Sequence, residues 1–144
     1  MLSEEGKRVK QELENFNQAK RRLRNLQDEL ESWKRLDGVI KSSSLEQHVS
    51  GGEIVSFSER RLLKIEELEK LISNAIDKAL SLEDKFLRDI NKLDALSQNL
   101  LMERYMTGKS LKRIIREFNY SERSIFYLYN KAYEDLAKKD KSLQ

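Results

Sequence analysis

The stretch SLKRIIREFNYSERSIFYLYNKAYEDLA, residues 110–137, decides the fold. Leu111, Ile114, Ile115 and Phe118 recur at helical spacing, and so do Ile125, Leu128, Tyr129, Ala132 and Leu136. Each set therefore falls on one face of a helix. Between them lies an FNY turn followed by Ser121, whose hydroxyl is suited to accept from the free amides at a helix start; Ser110 stands in the same place before the first set. The spacing predicts a helix over Leu111–Phe118, a short turn, and a second helix capped by Ser121 and running to about Ala137. Glu122, Arg123, Ser124, Phe126, Tyr127, Asn130 and Lys131 are left facing outward or at the margin.

Upstream, Asp94 caps a further short helix over about Ala95–Met106, with Leu96, Leu100, Leu101 and Tyr105 inward, and the TGK triplet at 107–109 ends it with a glycine. Residues 94–144 thus read as a three-helix domain. Before Leu93 the pattern is different. Val9, Leu13, Phe16, Ala19, Leu23, Leu26, Leu30, Trp33 and Leu36 trace one apolar stripe, which predicts a helix from about Ser3 to Leu36. Such a helix is roughly 50 Å long and needs a partner to bury its stripe. Ser56 with Glu59 three residues on reads as a capping box opening a second long helix. Its stripe, Ile65, Leu68, Ile72, Ala75, Ala79, Leu82, Phe86, Ile90 and Leu93, keeps close to the coiled-coil repeat. Residues 1–93 are therefore expected to form an antiparallel, coiled-coil-like hairpin that also serves oligomerisation, although pairing of the two helices between chains satisfies the same apolar stripes.

Residues 37–55, with SSS, a GG pair and no sustained periodicity, read as a flexible linker with His48 exposed on it. Val39, Ile40, Val49, Ile54 and Val55 leave open a short β-arm or docking segment in the same stretch.

Composition supports an all-α class. There is no proline, glycine is scarce at five residues, and Leu, Glu, Lys and Arg are abundant. The absence of cysteine excludes disulfides and thiolate metal sites, and a single histidine cannot assemble a zinc site unaided. No metal and no cofactor is expected. The N-terminus lacks an apolar signal core and no stretch approaches the roughly 20 apolar residues that span a bilayer. The chain reads as cytoplasmic, with no membrane partner. Nor is it an enzyme: it has no phosphate-cradling glycine loop, no histidine for a triad beyond His48, and no HExxH motif.

The net charge of +3 is unevenly spread. Residues 1–93 carry eighteen cations and eighteen acids, whereas residues 94–144 carry ten against seven. Within 104–131, Arg104, Lys109, Lys112, Arg113, Arg116, Arg123 and Lys131 face only Glu117 and Glu122. A basic concentration of this kind is the electrostatic footprint of a nucleic-acid binder. A helix fits the DNA major groove, and its first two turns reach the base edges. Double-stranded DNA is the expected partner. Arg123 is the leading base reader, since arginine donates two parallel bonds to guanine. Asn130 pairs with adenine or contacts phosphate, and Ser124, Tyr127 and Lys131 hold the backbone. Lys109, Lys112 and Arg113, opening the preceding helix, suit phosphate contacts. The cap residues Ser110 and Ser121, with Glu122, complete the candidate interface. Phe126 and Tyr127 read as core or dimer contacts more readily than as base stackers.

The segment LLMERYMTGKSLKRIIREFNYSERSIFYLYNKAYEDL resembles the region-four module of bacterial sigma factors over about 45 residues, with Ile114 and Ile115, the turn 118–121, then Ile125, Ala132 and Leu136 in register. With a long helical segment before it and the RY-x-x-G-K-S entry, the chain is more specifically similar to the ArpU/RinA-like phage regulators. That resemblance implies a phage or prophage transcriptional regulator, an activator of late genes, that binds DNA through a helix-turn-helix. Arg113 stands where sigma factors carry an acid, and no promoter-melting regions are present. The long helices imply a homodimer or small homo-oligomer that sets two recognition helices on two half-sites, or a docking surface for RNA polymerase. The KRRLR run at 20–24 reads as a solvated face compensated by Asp28, Glu29 and Glu31. Two other functions fit the same architecture: a small-terminase-like packaging component, and a regulator that docks on protein and never touches DNA.

Overall fold

The computed structural model describes the backbone of residues 2–44 and 51–142 and the side chains of residues 2–36 and 56–139. The chain is all-helical, with no strand among the described residues. Among the described residues five α-helices follow in order: α1 (Glu4–Ser44), α2 (Gly51–Ile90), α3 (Ala95–Leu101), α4 (Leu111–Phe118) and α5 (Glu122–Ser142), with a π-helical turn, Met102–Met106, continuing α3. None of the described helices is long and apolar enough to cross a membrane.

The two long helices correct the expected linker. Helix α1 runs through residues 37–44, and α2 is already helical from Gly51, so only 45–50 separate them. Val39 and Ile40 fall three and four residues after Leu36 and extend its stripe, and one interior glycine, costing about 1 kcal/mol, does not outweigh that continuity. Ile54 lies three helical turns before Ile65 and does the same for α2. Ser56 therefore sits inside a helix rather than at its start, and the capping-box reading of Ser56 and Glu59 fails because a cap needs non-helical backbone. His48 and Val49 lie outside the described residues, as do the side chains of Val39, Ile40, Ile54 and Val55.

Contacts divide the chain into two compact units: Met1–Gln18 with Leu80–Gln144, and Ala19–Ala79. In the first, one core joins Val9, Leu13 and Phe16 of α1 and Phe86 and Ile90 of α2 to the short helices, through Leu100, Leu101, Tyr105, Ile114, Ile125 and Tyr129. Leu93, Ala132, Tyr133, Leu136 and Ala137 complete it. Phe16 meets Phe86 at a centroid separation of 5.6 Å, and Phe86 stands edge-on to Tyr105 at 6.2 Å. The inward sets read from the sequence occupy this core. Tyr133 and Ala137 join them, following Tyr129 at successive four-residue steps on the same face of α5.

The second unit is thin. Among the described residues Leu68, Ala75 and Ala79 are its buried apolar side chains, all on α2, whereas Leu23, Leu26, Leu30, Trp33 and Leu36 of α1 are only half-buried. Arg61 reaches across to donate to the Trp33 carbonyl at 3.4 Å. Leu62, Leu63 and Ile76 stay exposed.

Candidate nucleic-acid interface

The candidate residues lie on α4, α5 and the segments that enter them. Three local devices fix those helices. Asp94 takes extended backbone and accepts from the Ser97 amide at 3.3 Å, opening α3, and hydrogen bonding from the Ser97 side chain first, then from its amide, holds the Asp94 carboxyl below the usual aspartate value. Ser110 accepts from the Arg113 amide at 3.2 Å, opening α4. Ser121 accepts from the Ser124 amide at 3.1 Å, opening α5, and donates to the Ser124 hydroxyl at 2.9 Å. All three expected caps are in place. Helix α4 ends at Asn119, which adopts left-handed backbone at φ 56°, a conformation that asparagine tolerates better than most residues.

The helix expected over Ala95–Met106 changes character after Leu101. Thr107 N–H closes a π turn onto the Met102 carbonyl at 3.0 Å, and Lys109 N–H bonds the Glu103 carbonyl at 3.0 Å, with Gly108 between them at φ 77°. The chain thereby reverses just before Ser110, and glycine suits the positive φ.

This reversal decides the role of Lys109. Its side chain is 14% exposed, and its ammonium is paired with Glu103 and lies 2.6 Å from Glu117, so it clips the π turn to α4. Hydrogen bonds to Glu103 and then Glu117 raise its pKa above the ordinary lysine value. Glu117 also accepts from Arg113 Nε at 2.9 Å, and the two cations, Lys109 first, hold its carboxyl below the usual range. Arg104 is half-buried, 3.7 Å from Glu14 and 5.9 Å from the Tyr105 ring centroid. Three of the seven cations in the basic window are thus engaged within the chain. Lys112, Arg116, Arg123 and Lys131 are exposed and have no ion pair within 4 Å among the described residues, although Lys131 is near enough to help lower the pKa of Asp94.

On α5, Arg123, Tyr127 and Lys131 follow one another at four-residue steps on a single exposed line, with half-buried Asn130 beside it. Tyr127 is 67% exposed and Phe126 45%, so neither belongs to the core of this chain. Tyr120, Arg123, Ser124, Tyr127 and Leu128 line an open depression on this face. Glu122 is exposed at the start of the helix. The hydroxyls of Ser110, Ser121 and Ser124 are engaged in capping, which gives them a positioning role.

Two exposed residues beyond the expected set stand with it. Arg116 follows Lys112 by one turn on α4, and Tyr120 rims the depression from the turn. The four-residue step from Lys112 was the available signal for Arg116; nothing local marks Tyr120.

Behind this face, buried hydroxyls tie α5 to its neighbours. Tyr105 and Tyr133 share a 2.6 Å hydrogen bond, Tyr105 donates to Glu14 at 3.3 Å, and Tyr129 donates to the Leu100 carbonyl at 2.7 Å. Burial raises the pKa of all three tyrosines, keeping them neutral donors. Glu134 accepts from the Ser3 amide at 2.6 Å and its hydroxyl at 2.9 Å. Among the described residues no group of His, Cys, Asp and Glu is placed to hold a metal ion. No protein-family model, curated protein or solved structure matches the chain.

Proposed function

We propose that this chain is a phage- or prophage-encoded, sequence-specific DNA-binding transcriptional regulator, an activator of late genes, without catalytic activity or cofactor. In this reading α4, the turn at Asn119 and α5 act as a helix-turn-helix with α5 in the major groove, and the long helices form an antiparallel hairpin through which the protein self-associates. One observation carries it: Lys112, Arg116, Arg123 and Lys131, all exposed and without an internal ion pair among the described residues, lie on the two helices that flank one tight turn. Cations left unpaired in this way are available to phosphate and base edges.

Arg123, in the first turn of α5, reads guanine bidentately, and Asn130 and Tyr127 contact bases or backbone further along the same face. Lys112 and Arg116 hold phosphates from the preceding helix, and Lys131 does so from α5. Arg113 divides its guanidinium between Glu117 and the backbone of the DNA, and Lys109 acts by positioning α4 rather than by contact.

The test is binding of the purified protein to fragments of its own genomic neighbourhood at near-physiological salt, with Arg123→Ala as the comparison. The expected result is selective binding to one fragment, weakened by about 1–3 kcal/mol in the variant and relaxed at one base position. Equal, weak binding of all fragments by both proteins would sink the operator-reading hypothesis in favour of packaging or protein docking.

A further inference from the structure

Helix α2 carries two apolar seams within Ala19–Ala79, and among the described residues only one of them is filled by the chain itself. Leu68, Ala75 and Ala79 are buried against α1. Leu62, Ile65, Ile72 and Ile76 form the second, at steps of three, seven and four, the spacing of a coiled-coil seam with Glu69 at its middle position. Leu62 is 58% exposed and Ile76 36%, with Ile65 and Ile72 half-buried between them. Two helices make a single layer, which has no second apolar face to pack against.

The sides of this layer can be told apart. A groove on one side is lined by Ala19 and Arg22 of α1 and Leu71, Asn74, Ala75 and Lys78 of α2. The open seam lies on the other flank of α2, so it shares its side with the other flank of α1, where Lys20, Gln27 and Lys34 recur at seven-residue steps. The two edges of that face differ in charge. Along α1 it carries Lys20 and Lys34 against Glu31; along α2 it carries Glu59, Glu66, Glu69 and Asp77 against Lys70, which lies 3.9 Å from Glu66.

We propose that a second copy of this chain covers the open seam, with two such layers stacked face to face about a two-fold axis parallel to the helices, so that α1 of each lies over α2 of the other. A two-fold contact must be self-complementary, and this one is: the basic α1 edge meets the acidic α2 edge twice, while the seam residues and Leu23 and Leu30 close into the core of a four-helix bundle. Stacking α2 on α2 would instead set Glu59, Glu66 and Asp77 against their own copies. The inference deepens the self-association in the proposed function, and its test contains no DNA, so either reading can fail without the other.

The experiment is the mass of the full chain in solution by sedimentation equilibrium, with circular dichroism as the check on folding. The wild type is expected at twice the 17.0 kDa of the chain. Leu62→Glu with Ile76→Glu, both at exposed positions, is expected to keep its helix content and sediment as a monomer. Lys34→Glu is expected to weaken the dimer, and Glu59→Lys with Glu66→Lys in the same chain to restore it. A monomeric wild type would overturn the inference and leave a different protein as the occupant. An unchanged mass in the Leu62/Ile76 variant would place the contact elsewhere, and a charge-reversed chain no tighter than Lys34→Glu would overturn the stacking of α1 on α2.

Discussion

Asn119 shows how one backbone angle holds the candidate interface together. It ends α4 in the left-handed region, and two residues later Ser121 caps α5, so the angle between the helices passes through that φ of 56°. A β-branched side chain in this conformation costs about 1–2 kcal/mol, whereas glycine adopts it freely. Asn119→Val is therefore expected to lower the stability of the protein by about that amount, and Asn119→Gly to leave it nearly unchanged, as read from thermal denaturation. Equal losses in both variants would mean that the asparagine side chain, not the backbone angle, matters there. The same contrast between backbone and side chain separates what could be read from the sequence at single residues. Asp94, Ser110 and Ser121 were legible as caps because capping is local chemistry among four residues. Ser56 has the same signature and does not cap, because apolar spacing upstream of it keeps the helix going. The bond from Tyr105 to Tyr133 was not legible: it joins residues 28 apart that meet only after α5 has docked.

Among the elements, the π turn and α4 divide the basic residues into two kinds. The reversal at Gly108 brings Lys109 between Glu103 and Glu117, which lie on different helical segments, and no sequence spacing announces that. Nor does any residue code distinguish a π turn from the α-helix expected over Ala95–Met106, since only the hydrogen-bond ring is wider. Charge counting therefore located a basic region but could not say which of its cations remain available. Under the proposed function the distinction is measurable in the salt dependence of DNA binding. Each phosphate contact contributes about 0.9 to the slope of log K against log salt for duplex DNA. Lys112→Ala and Arg116→Ala are each expected to lower that slope by about one contact, uniformly across sequences. Lys109→Ala is expected to leave the slope nearly unchanged while loosening α4 against the π turn. A full-contact loss of slope in Lys109→Ala would show that its two carboxylates release it on binding.

For the molecule as a whole, the carboxylates and the N-terminal segment set the conditions under which the candidate interface stays folded. Asp94, Glu117 and Glu134 all titrate below their ordinary values of 3.8, 4.5 and 4.5, through Ser97, through Lys109 and Arg113, and through Ser3. Groups depressed in this way add stability that is complete above their unfolded values and is lost as pH falls through the folded ones. Lys109 and the three buried tyrosines are shifted upward, so their contribution is complete below their ordinary values of 10.5 and 10.0 and is lost as pH rises beyond them. Denaturation midpoints are accordingly expected to be flat from roughly pH 5 to pH 10 and to fall on both sides; a midpoint still rising between pH 5 and 7 would point to a different titrating group. The same Glu134–Ser3 bonds belong to a core that takes Val9, Leu13 and Phe16 from the start of the chain and Phe86, Ile90 and Leu93 from just before α3. A fragment beginning at Asp94 would keep every candidate DNA contact and lose all six of these side chains. Each buried residue of this kind is worth about 2–5 kcal/mol, and a domain's whole stability is about 5–15 kcal/mol. The fragment is therefore expected to show little cooperative melting by circular dichroism and no selective binding, although its basic residues are intact. If it instead melts cooperatively and selects the same DNA as the full chain, the three short helices stand without the long ones, and the first 93 residues serve association alone.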